Sequence, residues 1–136
     1  EVYSLISKDE KSIHELTFPN IPKKWESQSL ENKWKQLYKI KQEANIAIEE
    51  KRASKEIGSS LEANIKITID NQKYELFDGI DLAEYFITSK AEKIKSSNNE
   101  ELKIEVAKSQ GIKCPRCWKI LETKCSRCEK AIQNNN

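Results

Sequence analysis

The residues in this sequence best suited to chemistry are four cysteines, arranged as two pairs, Cys114-Pro115-Arg116-Cys117 and Cys125-Ser126-Arg127-Cys128. Two residues between cysteines let both sulfurs of a pair point at a common centre, and two such pairs supply the tetrahedral sulfur set that suits Zn2+. Soft thiolates in that arrangement select zinc or an iron–sulfur cluster over hard cations. Three other readings compete: two disulfides, a thioredoxin-like redox pair, and free buried thiols. Disulfides need an oxidising compartment, and nothing in the sequence has the form of a secretory signal. A redox pair is expected beside a β-α-β pattern and has no use for a second pair. Few apolar residues separate Cys114 from Cys128, so this tip cannot bury a core and a metal must supply its folding free energy. Four cysteines close the coordination shell, whereas a catalytic metal keeps a position open. The expectation is one structural Zn2+ per chain, held by Cys114, Cys117, Cys125 and Cys128.

Interleaved with these cysteines are Arg116, Trp118, Lys119, Lys124 and Arg127. They combine phosphate-binding cations with one stacking surface, which makes them candidate RNA contacts. Trp118 has two compatible roles, packing over the metal site or stacking on a base. Residues 111–130 carry six basic and two acidic side chains, a net charge of +4, although the whole chain is only +2. Four thiolates and one divalent ion bring the segment down to about +2, enough for local attraction to phosphate and too little for a nonspecific polycation. His14, the single histidine, stands without a Ser, Cys or Asp partner in the pattern that nucleophilic catalysis requires. No catalytic residue is assigned.

The elements that must position this tip can be read from periodicity. The fold class expected is α+β: a long amphipathic helix, a small β-β-α-β-β unit, then a C-terminal four-cysteine zinc knuckle. Residues 1–22 show no sustained period and read as an irregular arm from an upstream domain. Residues 23–58 read as a long connector helix, capped by Ser27 or Ser29. Its apolar stripe runs through Leu30, Trp34, Leu37, Ile40, Ala44 and Ile48, and Gly58 is taken as the left-handed terminator. The opposite, mixed-charge face reads as solvated. Within residues 59–110, the alternation at Ile65, Ile67 and Ile69, then Asp70-Asn71-Gln72 leading to Tyr74 and Leu76, predicts a hairpin. A short helix over 81–86, a strand over 87–94 and a strand through Leu102, Ile104 and Val106 complete the unit. The finger occupies 111–130, and 131–136 reads as a disordered tail. No apolar run approaches the ~20 residues of a bilayer span; with 34% charged residues and a mean hydropathy of -0.79, a soluble, cytoplasmic, monomeric protein with no membrane partner is expected.

Three stretches in the same order resemble bacterial isoleucyl-tRNA synthetases. They are Leu16-Thr17-Phe18-Pro19, Ile57-Gly58-Ser59-Ser60-Leu61-Glu62-Ala63 at the end of the long helix, and Cys114-x-Arg116-Cys117-Trp118 with Cys125-x-Arg127-Cys128, which is similar to their terminal zinc finger. Pro115 departs from the acidic residue common at its position, and the spacer from Trp118 to Lys124 is shorter than usual. The resemblance implies a class I aminoacyl-tRNA synthetase that activates isoleucine with ATP, edits mischarged valine, and uses this region near the anticodon stem-loop of its tRNA. It implies that the four cysteines are ligands. Stretches resembling the class I ATP motifs do not occur in this sequence, and the chain contains no Met and starts at Glu1. It is therefore expected to be a non-catalytic piece of a longer enzyme, which would hold the ATP site. Two other readings stand beside this one: the zinc finger of a DNA-repair glycosylase, and a protein-interaction zinc module without nucleic acid. The glycosylase would place a helix-two-turn-helix module where an α+β pattern stands here.

Overall fold

The computed structural model describes residues 2–6, 12–97 and 102–133. Helix α1 (Val2–Ile6) lies within the arm expected to be irregular, and two single 3-10 turns, Ile13–Glu15 and Lys23–Trp25, follow it. Helix α2 (Gln28–Ala53) starts as expected at Ser27, whose hydroxyl accepts the Leu30 amide. Its stop is not at Gly58. Ser54 ends the helix and Lys55 takes the left-handed conformation at φ 60°. The Lys55 amide then bonds the Arg52 carbonyl and the Glu56 amide bonds the Lys51 carbonyl, the paired closure of a Schellman motif. A Lys51–Glu56 ion pair at 2.8 Å spans this turn, and Ile57 is buried just beyond it. These contacts outweigh the cost of placing a lysine where glycine is easier.

Strand β1 (Ala63–Ile69) turns Ala63, Ile65, Ile67 and Ile69 to one face, each fully buried, with Asn64, Lys66 and Thr68 on the other. The predicted hairpin does not follow. Asp70 instead caps helix α3 (Asn71–Leu76), accepting the Lys73 amide at 2.8 Å and pairing with the Lys73 ammonium at 2.6 Å. Asp-Asn-Gln serves a turn and a helix start equally well at the level of local sequence; burial of Tyr74, Leu76 and Phe77 against the isoleucine row decides for the helix. Helix α4 (Leu82–Phe86) is capped by Asp81 and closed by Ile87 at φ 57°. Strand β2 (Lys90–Lys95) therefore begins three residues later than predicted, and runs parallel to β1. Strand β3 (Lys103–Lys108) pairs antiparallel on the other side, giving the order β2-β1-β3. The unit is thus β-α-α-β-β rather than β-β-α-β-β, within the α+β class expected. A parallel neighbour needs a crossover, and α3 and α4 supply it.

The core joins Leu37, Ile40, Ala44 and Ile48 of α2 to the isoleucine row, Phe77 and Phe86. The predicted stripe is therefore only partly used: Leu30 and Trp34 stay about half exposed, although the Trp34 ring lies 5.9 Å from that of Tyr85. Beyond the sheet, β4 (Ile112–Lys113) and β5 (Ile120–Leu121) form a two-stranded ribbon and α5 (Ser126–Gln133) completes the finger. Residues 131–133, expected in the tail, continue α5; 134–136 lie outside the described residues. None of the helices among the described residues is long and apolar enough to cross a membrane.

Two leucines of one stripe give a test. Leu37→Ala should cost ~2–5 kcal/mol in urea unfolding of the metal-loaded chain, because it empties a fully enclosed site. Leu30→Ala, on a half-exposed position, should stay within about 0.5 kcal/mol of the parent. Equal costs would mean that α2 does not pack as described.

Candidate metal centre

The ribbon and α5 each deliver one cysteine pair. Cys114 follows β4 and its amide donates to the Lys119 carbonyl, while the Trp118 amide returns to the Cys114 carbonyl, both at 2.9 Å. Closing so tight a turn puts Trp118 at φ 65°, a left-handed conformation. The second pair sits at the start of α5, where the Glu129 amide bonds the Cys125 carbonyl at 3.0 Å and Cys128 lies in the first turn. One glycine is obligatory to this arrangement. At Gly111, with φ 130°, a Cβ would lie 2.3 Å from the Leu121 carbonyl oxygen across the ribbon.

The four sulfurs lie within 4.8 Å of one another. A tetrahedron with metal–sulfur bonds of ~2.3 Å has edges of about 3.8 Å, and the Cys117 and Cys125 sulfurs are 3.8 Å apart. All four cysteines are free rather than disulfide-bonded. The backbone amides of Cys117 and Arg116 donate to Cys114 and hold its thiol down to about 7. Burial, with the adjacent sulfurs of Cys117, Cys125 and Cys114, pushes Cys128 up to about 12. A bound cation would offset the repulsion between thiolates packed this closely. These residues are positioned to bind a metal ion, and the donor set fits one that favours sulfur.

The five candidate RNA contacts divide. Arg116 and Lys124 border an apolar groove of about 280 Å³ built from the finger alone, with Ile112, Pro115, Ile132 and the cysteines Cys114, Cys125 and Cys128, and Lys124 also borders the cleft between finger and sheet. Neither enters an ion pair among the described residues. Trp118 is 61% exposed, which leaves much of its ring surface open. Lys119 and Arg127 are turned the other way. Both reach Glu84 Oε1 on α4, at 2.9 and 2.7 Å, beside a cleft of about 760 Å³ between finger and sheet. The Lys119 hydrogen bond first, then the charges of Lys119 and Arg127, lower the pKa of Glu84.

Further contacts reinforce this junction. Buried Ser89 donates its hydroxyl to the Leu61 carbonyl and accepts the Ile120 amide at 2.6 Å. Glu62 accepts the Gly58 amide at 3.0 Å and meets the Lys113 ammonium at 3.4 Å. Sequence reasoning missed Glu84, Ser89 and Glu62, because their partners lie 28 to 51 residues away along the chain and no local spacing marks them.

No family model matches the chain. An isoleucine–tRNA ligase of Pelagibacter ubique is 45% identical over 127 residues, covering 93% of this chain and 14% of the ligase. One from Agrobacterium fabrum is 34% identical over 122 residues, 82% of this chain and 13% of the ligase. The chain is related to the bacterial-type isoleucine–tRNA ligases and matches a C-terminal fragment of them. Another such ligase, from Prochlorococcus marinus, is 30% identical over 151 residues, 91% of this chain and 16% of its own length. The chain thus spans less than a fifth of the isoleucine–tRNA ligases it matches.

Elemental analysis of the chain purified without chelator should give one metal ion per molecule. Cys125→Ser should bring the stoichiometry well below one and raise amide exchange over 112–133. Four reactive thiols and no ion in the native chain would rule the centre out.

Proposed function

We propose that this chain is the zinc-binding, tRNA-contacting segment of an isoleucine–tRNA ligase, a class I synthetase that joins isoleucine to its tRNA at the expense of ATP. The observation that carries the proposal is one small finger that combines a four-cysteine cluster within 4.8 Å with an open rim of Arg116, Trp118 and Lys124. Supporting it are relatives named isoleucine–tRNA ligase along most of the chain. Zinc is the ion proposed, since four thiolates in a closed tetrahedral set are its usual structural environment. When bound, it supplies cross-linking of two knuckles that have no apolar core of their own.

The chain's own residues perform the recognition. Arg116 and Lys124 offer cations to phosphate, and the exposed Trp118 ring offers a face to an unstacked base. Within the whole ligase, acting in the cytoplasm as a monomer, the segment positions tRNA while ATP and isoleucine are handled elsewhere.

The two recognition terms separate by salt. Binding of isoleucine tRNA to the zinc-loaded chain should weaken with salt at a log–log slope of roughly -1.4, for two phosphates at about -0.7 each. Arg116→Ala with Lys124→Ala should remove most of that slope. Trp118→Ala should lower affinity at every salt concentration, by ~1–3 kcal/mol, with the slope unchanged. If all three zinc-retaining proteins bind alike, or if duplex DNA or a protein ligand is preferred to tRNA, the finger is not a tRNA contact.

A further inference from the structure

We infer that Glu84 is a latch that fixes the finger to the sheet and partly neutralises Lys119 and Arg127, so that the unpaired cations, Arg116 and Lys124 above all, carry most of the finger's attraction for an anionic partner. The second half of this inference rests on the tRNA reading; the first half does not.

The argument starts from geometry. A single carboxylate oxygen, Glu84 Oε1, meets one cation from the ribbon side of the finger, Lys119 at 2.9 Å, and one from its helix, Arg127 at 2.7 Å. Lys119 follows the first cysteine pair and Arg127 lies within the second, so one acidic group on α4 grips both halves of the finger. Glu84 is itself held in place, since its amide is the donor to the Asp81 cap at 3.0 Å. The Lys119 side chain is only 19% exposed, which makes this arm of the pair less screened by solvent than a surface ion pair. Arg127 is largely exposed and adds less. Beneath the ion pairs, the Ser89 hydroxyl ties the Ile120 amide to the Leu61 carbonyl, so polar groups of finger and sheet are satisfied across the junction.

The consequence concerns charge. Lys119 and Arg127 share one carboxylate, and Lys113 faces Glu62. Arg116, Lys124 and Lys130 enter no ion pair among the described residues; Arg116 and Lys124 border the groove, and Lys124 the cleft as well. A finger with six basic residues thereby offers fewer unpaired cations than its composition suggests, and its seat on the sheet unit is held at Glu84 together with Ser89 and Glu62.

Amide exchange distinguishes docking from local folding, because the two rely on different amides. The Ile120 amide donates to Ser89 of the sheet unit, whereas the Trp118 amide is bonded inside the knuckle to Cys114. In the zinc-loaded chain, Glu84→Gln should speed exchange at Ile120 about threefold to tenfold, the range expected for losing one or two partly screened ion pairs, and leave Trp118 unchanged. Glu84→Lys should do the same more strongly. Glu84→Lys with Lys119→Glu should restore protection at Ile120, a rescue that loss of packing at position 84 would not permit. Unchanged exchange at Ile120 in Glu84→Gln, or absence of rescue in the swapped pair, would overturn the latch. For the charge half, Glu84→Gln should steepen the salt slope of tRNA binding by up to about 1.4, as two cations are released to the partner; an unaltered slope would overturn it. If the parent binds no tRNA at all, the functional reading fails, and the exchange results still decide the latch.

Discussion

One buried row of side chains, Ile65, Ile67 and Ile69 on the central strand, sets the position of everything else in this molecule. Enclosing each is worth ~1.5–3 kcal/mol, and a seven-residue strand can gain that only if one of its faces is completely covered. Helix α2 covers it lengthwise through Leu37, Ile40, Ala44 and Ile48, and Phe77 and Phe86 close the remainder. Because α3 and α4 lie on that same face, β2 returns parallel to β1, and α4 emerges at the sheet margin beside Ser89. That margin is where the finger docks. The position of Glu84 is therefore a product of the isoleucine row, although Glu84 itself buries nothing.

The finger follows a different physical logic. Its ribbon has two residues per strand and its helix eight, too little apolar area to offset the entropy of ordering the chain. Ligation of an ion by the four sulfurs would gather the two knuckles locally, and polar contacts hold the finger against the sheet. The two devices are complementary. Ligation would fix internal shape and leave orientation undetermined; the Glu84, Ser89 and Glu62 contacts fix orientation and have too little apolar area beneath them to fold the tip by themselves. The proposed tRNA contact would require both, since displacement of a cation by a few ångströms changes its interaction with phosphate.

The same reasoning accounts for the low exploitable charge of the finger. Cations held by carboxylates lose much of their attraction for phosphate, so composition overstates what a partner would feel. With Lys119 and Arg127 committed to Glu84 and Lys113 facing Glu62, recognition would depend on a small number of exposed groups plus one aromatic face. In the proposed function such a surface would be an accessory one, supplying a small part of the affinity for tRNA.

Sequence alone determined those features whose causes are local. The spacing of Cys114, Cys117, Cys125 and Cys128 indicated a metal-binding cluster, because two intervening residues fix where neighbouring sulfurs can point. Ser27 marked the start of α2, and alternation marked β1, since capping and a period of two are properties of adjacent residues. Segments with two nearly equal local solutions were decided only by tertiary structure. Asp70-Asn71-Gln72 can turn a hairpin or begin a helix, and burial of Tyr74 and Phe77 on the isoleucine row selected the helix. Gly58 and Lys55 both stood near the end of α2, and the Lys51–Glu56 pair with buried Ile57 placed the stop at the lysine. Five cations and aromatics around the cysteines read as one candidate surface; the fold divided them, because Glu84 lies 35 and 43 residues from its two partners. Attraction between charges so distant along the chain leaves no periodic trace in a sequence, and comes into being only when the core has already brought them together.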